Sequence, residues 1–115
     1  MTVKNLAADE IARRLKDDSI ILIDVREPSE YAAERIHGAL LFPLSTFDPH
    51  ALPDCGARAV VFQCGSGVRS ARAVAACQRI GLHHDSHLKG GIQAWKAAGL
   101  PTITVDPSTG QTRDR

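Results

Sequence analysis

Two short runs of apolar, mostly β-branched residues, Ile20-Ile21-Leu22-Ile23 and Ala59-Val60-Val61-Phe62, constrain the fold more than any other feature of the chain. A strand with one wet face alternates apolar and polar residues. A continuous run has both faces covered, as in a parallel sheet with helices on either side. Residues 19–25 therefore predict a buried strand closed by Asp24, Arg26 and Glu27, and residues 59–63 predict a second that runs into Cys64-Gly65-Ser66-Gly67-Val68.

The segments between these runs read as helices and short connections. Leu6, Ile11 and Leu15 set a helical period, so residues 8–17 predict a surface helix with one packed stripe. Pro28-Ser29-Glu30 opens a short helix through Arg35, and Ile36-His37-Gly38-Ala39 leads into a strand at Leu40-Leu41-Phe42. Residues 43–58 contain three prolines and no sustained period, which leaves a connection with about one helical turn. A helix follows from Arg69 to Ile80, then a weak strand around His87-Leu88. Beyond Gly90-Gly91, the residues Ile92, Trp95 and Ala98 mark a last helix that stops at Gly99 before Pro101. Strands alternating with helices imply an α/β fold with a mainly parallel sheet, whose ligand sites lie beyond the C-terminal ends of strands. Asp24-Val25-Arg26 and Cys64 both occupy such ends. Residues 1–105 read as one domain and residues 106–115, polar and rich in turn formers, as an unstructured tail.

At 115 residues the chain suits a single domain that buries its own core. Acids and bases nearly cancel at a net charge of +1 and are scattered, so no long-range field recruits nucleic acid or an anionic membrane. No segment has the length and apolarity of a membrane span, and the charged N-terminal stretch lacks a leader pattern, which makes a cytoplasmic location the default expectation. Cys55, Cys64 and Cys77 are an odd set without C-x-x-C spacing, which argues against a disulfide framework and a zinc site.

Cys64 has the setting of a nucleophile. It stands between a buried strand and a helix N-terminus, where successive N–H groups can turn inward around the sulfur and favour an anion. The helix dipole adds about 0.3–1 kcal/mol in the same direction, so a lowered thiol pKa is expected. Gly65 and Gly67 supply the backbone freedom that such a curl needs.

These residues resemble the rhodanese-like domains. The resemblance covers residues 6 to about 103 and rests on four motifs in order: Asp24-Val25-Arg26; Tyr31 with Ile36-His37-Gly38-Ala39; Cys64-Gly65-Ser66-Gly67-Val68-Arg69-Ser70; and Leu88-Lys89-Gly90-Gly91-Ile92-Gln93-Ala94-Trp95. It implies a five-stranded parallel sheet flanked by helices, and a sulfurtransferase that moves sulfane sulfur from a small-molecule donor such as thiosulfate to a thiophilic acceptor. That acceptor is cyanide or a thiol, or a protein that receives sulfur. Cys64 would carry the persulfide, Gly65, Ser66, Gly67, Val68, Arg69 and Ser70 would bind substrate, and Asp24, Arg26 and His37 would support the loop. Neither a metal nor an organic cofactor is implied. The loop Gly65-Ser66-Gly67-Val68 lacks the cations common after the cysteine in thiosulfate-using members and looks like that of mercaptopyruvate sulfurtransferases. Arg69 is left as the group expected to meet a dianionic donor.

Plainer readings stand beside these. Cys77 reads as a small core residue of its helix and Cys55 as a loop residue without a role. Asp24 and Arg26 read as a scaffold ion pair, His37 as a turn-stabilising residue and Trp95 as a core anchor. His83, His84 and His87 lack the companion ligands of a metal site. A noncatalytic binding module is the alternative in kind, but modules of that type lose the cysteine that is present here. Phosphatase chemistry needs a cysteine loop one residue longer before the arginine than Cys64 to Arg69 provides.

Overall fold

The computed structural model describes residues 3–54 and 56–114. Five parallel strands form the main sheet: β1 (Lys4–Leu6), β2 (Ile20–Asp24), β4 (Leu40–Leu41), β5 (Ala59–Gln63) and β6 (Ser86–Leu88). Their order is β1-β6-β5-β2-β4, so the two long apolar strands lie side by side near the centre, paired from Ile20↔Ala59 to Asp24↔Gln63. This is the α/β architecture that the continuous apolar runs predict.

Alternation along the central strands sorts the core into two layers. Ile20 and Leu22 of β2 and Val61 of β5 face one layer with Ile11 of helix α1 (Ala8–Lys16) and Ile92 and Trp95 of helix α4 (Gly91–Ala97). Ile23, Val60 and Phe62 face the other, with Ala73, Val74 and Cys77 of helix α3 (Val68–Arg79). Leu44, Phe47 and Leu52, in and beside two short 3-10 turns at Leu44–Thr46 and Pro49–Ala51, close that second layer. Trp95 is the expected core anchor, 4% exposed, and its indole N–H donates to the Pro101 carbonyl at 2.8 Å.

Several elements depart from the sequence reading. Leu6, read there as part of a helical stripe, belongs to β1, and Lys4 to Leu6 pair with Ser86 to Leu88. Helix α2 (Pro28–Ala33) stops before Arg35, because Glu34–Arg35 turn extended as β3. Strand β3 pairs antiparallel with β7 (Ile103–Val105), which in turn pairs with β8 (Thr112–Asp114). Residues 106–115 are therefore not a structureless tail as far as Asp114. Asp106 accepts from the Ser108 N–H at 2.9 Å and its own N–H donates to the Gln111 carbonyl at 2.8 Å, a turn that folds β8 back onto β7. No helix among the described residues is long and apolar enough to cross a membrane.

Candidate active site

Cys64 follows β5 directly and is fully buried, with its Sγ held inside the turn that leads into α3. The Gly67 N–H donates to Sγ at 3.0 Å, and Ser70 Oγ stands 3.5 Å from it. Burial pushes the thiol up, but the Ser70 hydroxyl and the N–H groups of Ser70, Gly67 and Ser66 outweigh it, and the thiol lies below its ordinary value. Cys77, equally buried but without such donors, is pushed up to about 11 by burial. Contact with inward N–H groups therefore separates the two cysteines; Cys55 lies outside the described residues.

The loop curls because its carbonyls are engaged from behind. The N–H of Ile92 donates to the Cys64 carbonyl at 2.8 Å and that of Gln93 to the Gly65 carbonyl at 3.2 Å. With the Gly65 carbonyl turned toward α4, the N–H of the same peptide group, that of Ser66, is left on the side of the sulfur. Gly91 makes this approach possible. At φ +63° it is in the left-handed region, and a Cβ there would overlap the Cys64 carbonyl oxygen and come within 2.6 Å of the Gly65 carbonyl. Gly67, at φ +105°, caps α3 and turns the chain over the sulfur.

The other residues named from the sequence take different places. Ser70 is buried against the sulfur, whereas the Ser66 and Val68 side chains are exposed and only the Ser66 N–H acts on Cys64. Arg69 is not a free cation: Nη1 donates to Glu30 Oε1 at 2.6 Å and Nη2 to Glu30 Oε2 at 3.0 Å, with the guanidinium lying beside Gly65. Its hydrogen bonds hold the Glu30 carboxyl at about 2. Asp24 and Arg26 form a buried pair, Arg26 Nη2 to Asp24 Oδ2 at 2.9 Å, and the same Nη2 donates to the Glu34 carbonyl at 2.6 Å. They tie the end of β2 to β3. The pairing of β2 with the cysteine strand β5 continues past their ends in the Val25 N–H, which donates to the Gln63 carbonyl at 2.9 Å. His37 is exposed and lines a groove with Asp18, Ile20 and Trp95, in which no residue of the cysteine loop takes part.

Three residues beside the site were not given a role by the sequence. Glu30 is one, and it also accepts the Glu27 N–H at 2.9 Å in a capping box at the start of α2. His87 and Asn5 are the others, with His87 Nδ1 2.7 Å from Ser70 Oγ and Nε2 2.6 Å from Asn5 Oδ1.

The family model for the rhodanese-like domain matches residues 7–98, which include the cysteine turn and the glycine pair that holds it. The chain belongs to the rhodanese-like domain family. It is 33% identical to a sulfurtransferase of Allochromatium vinosum over 90% of this chain and 98% of that protein. An uncharacterised protein of Synechocystis is 39% identical over 85% of this chain, which spans only 55% of that relative. Among solved structures, the rhodanese-like domain of an Anabaena protein superposes with a TM-score of 0.76 at 28% identity, covering 95% of this chain and 84% of that one. The five parallel strands and flanking helices are thus the rhodanese-like fold, and Cys64 sits in its strand-to-helix turn.

Proposed function

We propose that this rhodanese-like domain is a sulfurtransferase that carries sulfane sulfur as a persulfide on Cys64. The observation that carries the reading is the convergence of the Ser66, Gly67 and Ser70 N–H groups and the Ser70 hydroxyl on one buried sulfur. A Cys64 thiolate attacks the outer sulfur of the donor, a new S–S bond forms, and the bond from that sulfur to the rest of the donor breaks, its electron pair leaving with the departing group. The terminal persulfide sulfur is anionic, so the donors that favour the thiolate also suit the loaded state. A thiophilic acceptor, cyanide, a thiol or a protein that receives sulfur, then takes the outer sulfur and restores the thiolate.

Full burial of Cys64 means that the donor reaches it when the rim of the loop, with Gly65 and Gly67 on either side of Ser66, moves aside. Thiosulfate is the donor that the family suggests. The pairing of Arg69 with Glu30 favours instead a donor of lower charge, such as mercaptopyruvate, because Arg69 is the sole cation in residues 65–70 and its fork is occupied. Turnover with both donors in Cys64→Ser, Cys77→Ser and Cys55→Ser tests the reading. Activity is expected to vanish in the first variant and persist in the other two; substantial turnover by folded Cys64→Ser would remove the basis of the proposal.

A further inference from the structure

Behind the sulfur, a row of polar contacts leads from the loop to the surface. Cys64 Sγ lies 3.5 Å from Ser70 Oγ, Ser70 Oγ 2.7 Å from His87 Nδ1, and His87 Nε2 2.6 Å from Asn5 Oδ1. Cys64 and Ser70 are fully buried and His87 is 5% exposed, whereas Asn5 is exposed. The parallel pairing of β1 with β6 sets Asn5 directly beside His87, so the row is fixed by sheet register.

Its hydrogen bonds have a direction. An amide oxygen only accepts, so Nε2 carries a proton, and in a neutral imidazole Nδ1 is then an acceptor. Ser70 donates its hydroxyl to Nδ1, the closer of its two acceptors, the Gly67 carbonyl lying at 3.3 Å. Its oxygen is left to accept the Cys64 S–H.

We propose that Ser70, His87 and Asn5 form a relay that takes up and holds the Cys64 proton. The S–H proton moves to Ser70 Oγ while the Ser70 hydroxyl proton moves to His87 Nδ1, and Nε2–H remains on Asn5. A neutral thiol and a neutral imidazole become a thiolate and an imidazolium, with no atom or electron gained or lost. Ser70 then donates to the sulfur and accepts from Nδ1, so every member keeps a partner. A thiolate beside a neutral imidazole lacks that arrangement, because the one hydroxyl proton cannot serve both. His87 acts through Ser70 and is a positioning residue.

The surroundings suit this role. Facing the imidazole are Asn5 from β1, Ser70 from α3 and, beyond Ser70, Cys64 at the end of β5, which is the titratable group among them. Burial holds His87 below the ordinary histidine value, so near neutral pH its Nδ1 lone pair is available, and the imidazolium forms only with the thiolate paired to it through Ser70 to offset that burial. The relay's relevance to turnover rests on Cys64 being the sulfur carrier, but its test uses the thiol alone.

The experiment is the pH dependence of Cys64 alkylation by iodoacetamide in the full chain, read by mass on the Cys64 peptide with no sulfur donor present. Thiol–imidazole and thiolate–imidazolium carry the same number of protons, so their ratio does not change with pH, and a wild-type profile with two rises separated by a plateau is expected. His87→Gln keeps a hydrogen-bonding side chain that does not titrate. Its plateau should be lost, with the rate falling about tenfold per pH unit below the thiol pKa. Asn5→Asp sets a carboxylate at the exposed end of the row, favours the imidazolium and should raise the plateau. A role in packing alone would move both variants the same way. A wild-type profile with a single rise, or a lower plateau in Asn5→Asp, overturns the relay, and both readings stand even where His87→Gln does not fold. Sulfur loading on Cys64 with a single-rise profile would defeat the relay and leave the sulfurtransferase reading intact.

Discussion

Arg69 commits both arms of its guanidinium to Glu30, 39 residues away in sequence, at 2.6 and 3.0 Å. The pair joins α2 to the start of α3 and cancels the one positive side chain of residues 65–70. Glu30→Gln should free part of that fork and lower the KM for thiosulfate several-fold, with a smaller change for mercaptopyruvate. Equal KM values in wild type and variant would show that the pairing does not select the donor.

The same carboxylate gives a stability prediction with a defined sign. Its folded value near 2 lies below the ordinary 4.5, so the pair stabilises the fold above about pH 4.5 and that contribution is lost as pH falls toward 2. Both side chains are about one-third exposed, at 34% and 37%, so solvent screening limits the contribution to about 0–1 kcal/mol. Urea unfolding of wild type and Glu30→Gln should differ by that amount at pH 6 and converge near pH 2.

Gly91→Ala is expected to lower stability by about 1–3 kcal/mol for the left-handed backbone alone. The new Cβ also meets the carbonyls of Cys64 and Gly65, so the loop must shift. Sulfur transfer should fall much further than the melting temperature suggests, and a rise in the Cys64 pKa should accompany it. Unchanged alkylation and turnover in Gly91→Ala would show that the grip of α4 on the loop carbonyls does not shape the nest.

Asp24→Ala leaves Arg26, 5% exposed, with an uncompensated charge and should destabilise by about 3–5 kcal/mol. Chemical denaturation measures it. A much smaller loss would mean that water reaches the guanidinium once the carboxylate is gone.

The legible part of the chain was the part where chemistry and periodicity are local. Ile20 to Asp24 and Ala59 to Gln63 show their burial in the sequence itself, and Cys64 shows its site through the glycines beside it. Strand β1 was not legible because three residues are too few to set a period, and Leu6 also fits the helical spacing that follows. The sequence extends α2 to Arg35 because glutamate and arginine are good helix formers, while Glu34 and Arg35 are held extended by β7, which is far away in sequence. A signal for the minor sheet was present: the β-branched Ile103-Thr104-Val105 followed by the turn formers Asp106-Pro107-Ser108-Thr109-Gly110 is a hairpin pattern. The partners of Arg69 and His87 come from Glu30 and Asn5 in other elements, and no spacing rule reaches that distance.

The central claim is that Cys64 is the sulfur carrier, and intact mass of the full chain after incubation with thiosulfate or mercaptopyruvate tests it most directly. One added sulfur atom is expected in wild type, mapped to the Cys64 peptide, absent in Cys64→Ser and lost on addition of cyanide or a thiol. No added sulfur with either donor, or the same gain in Cys64→Ser, would contradict it.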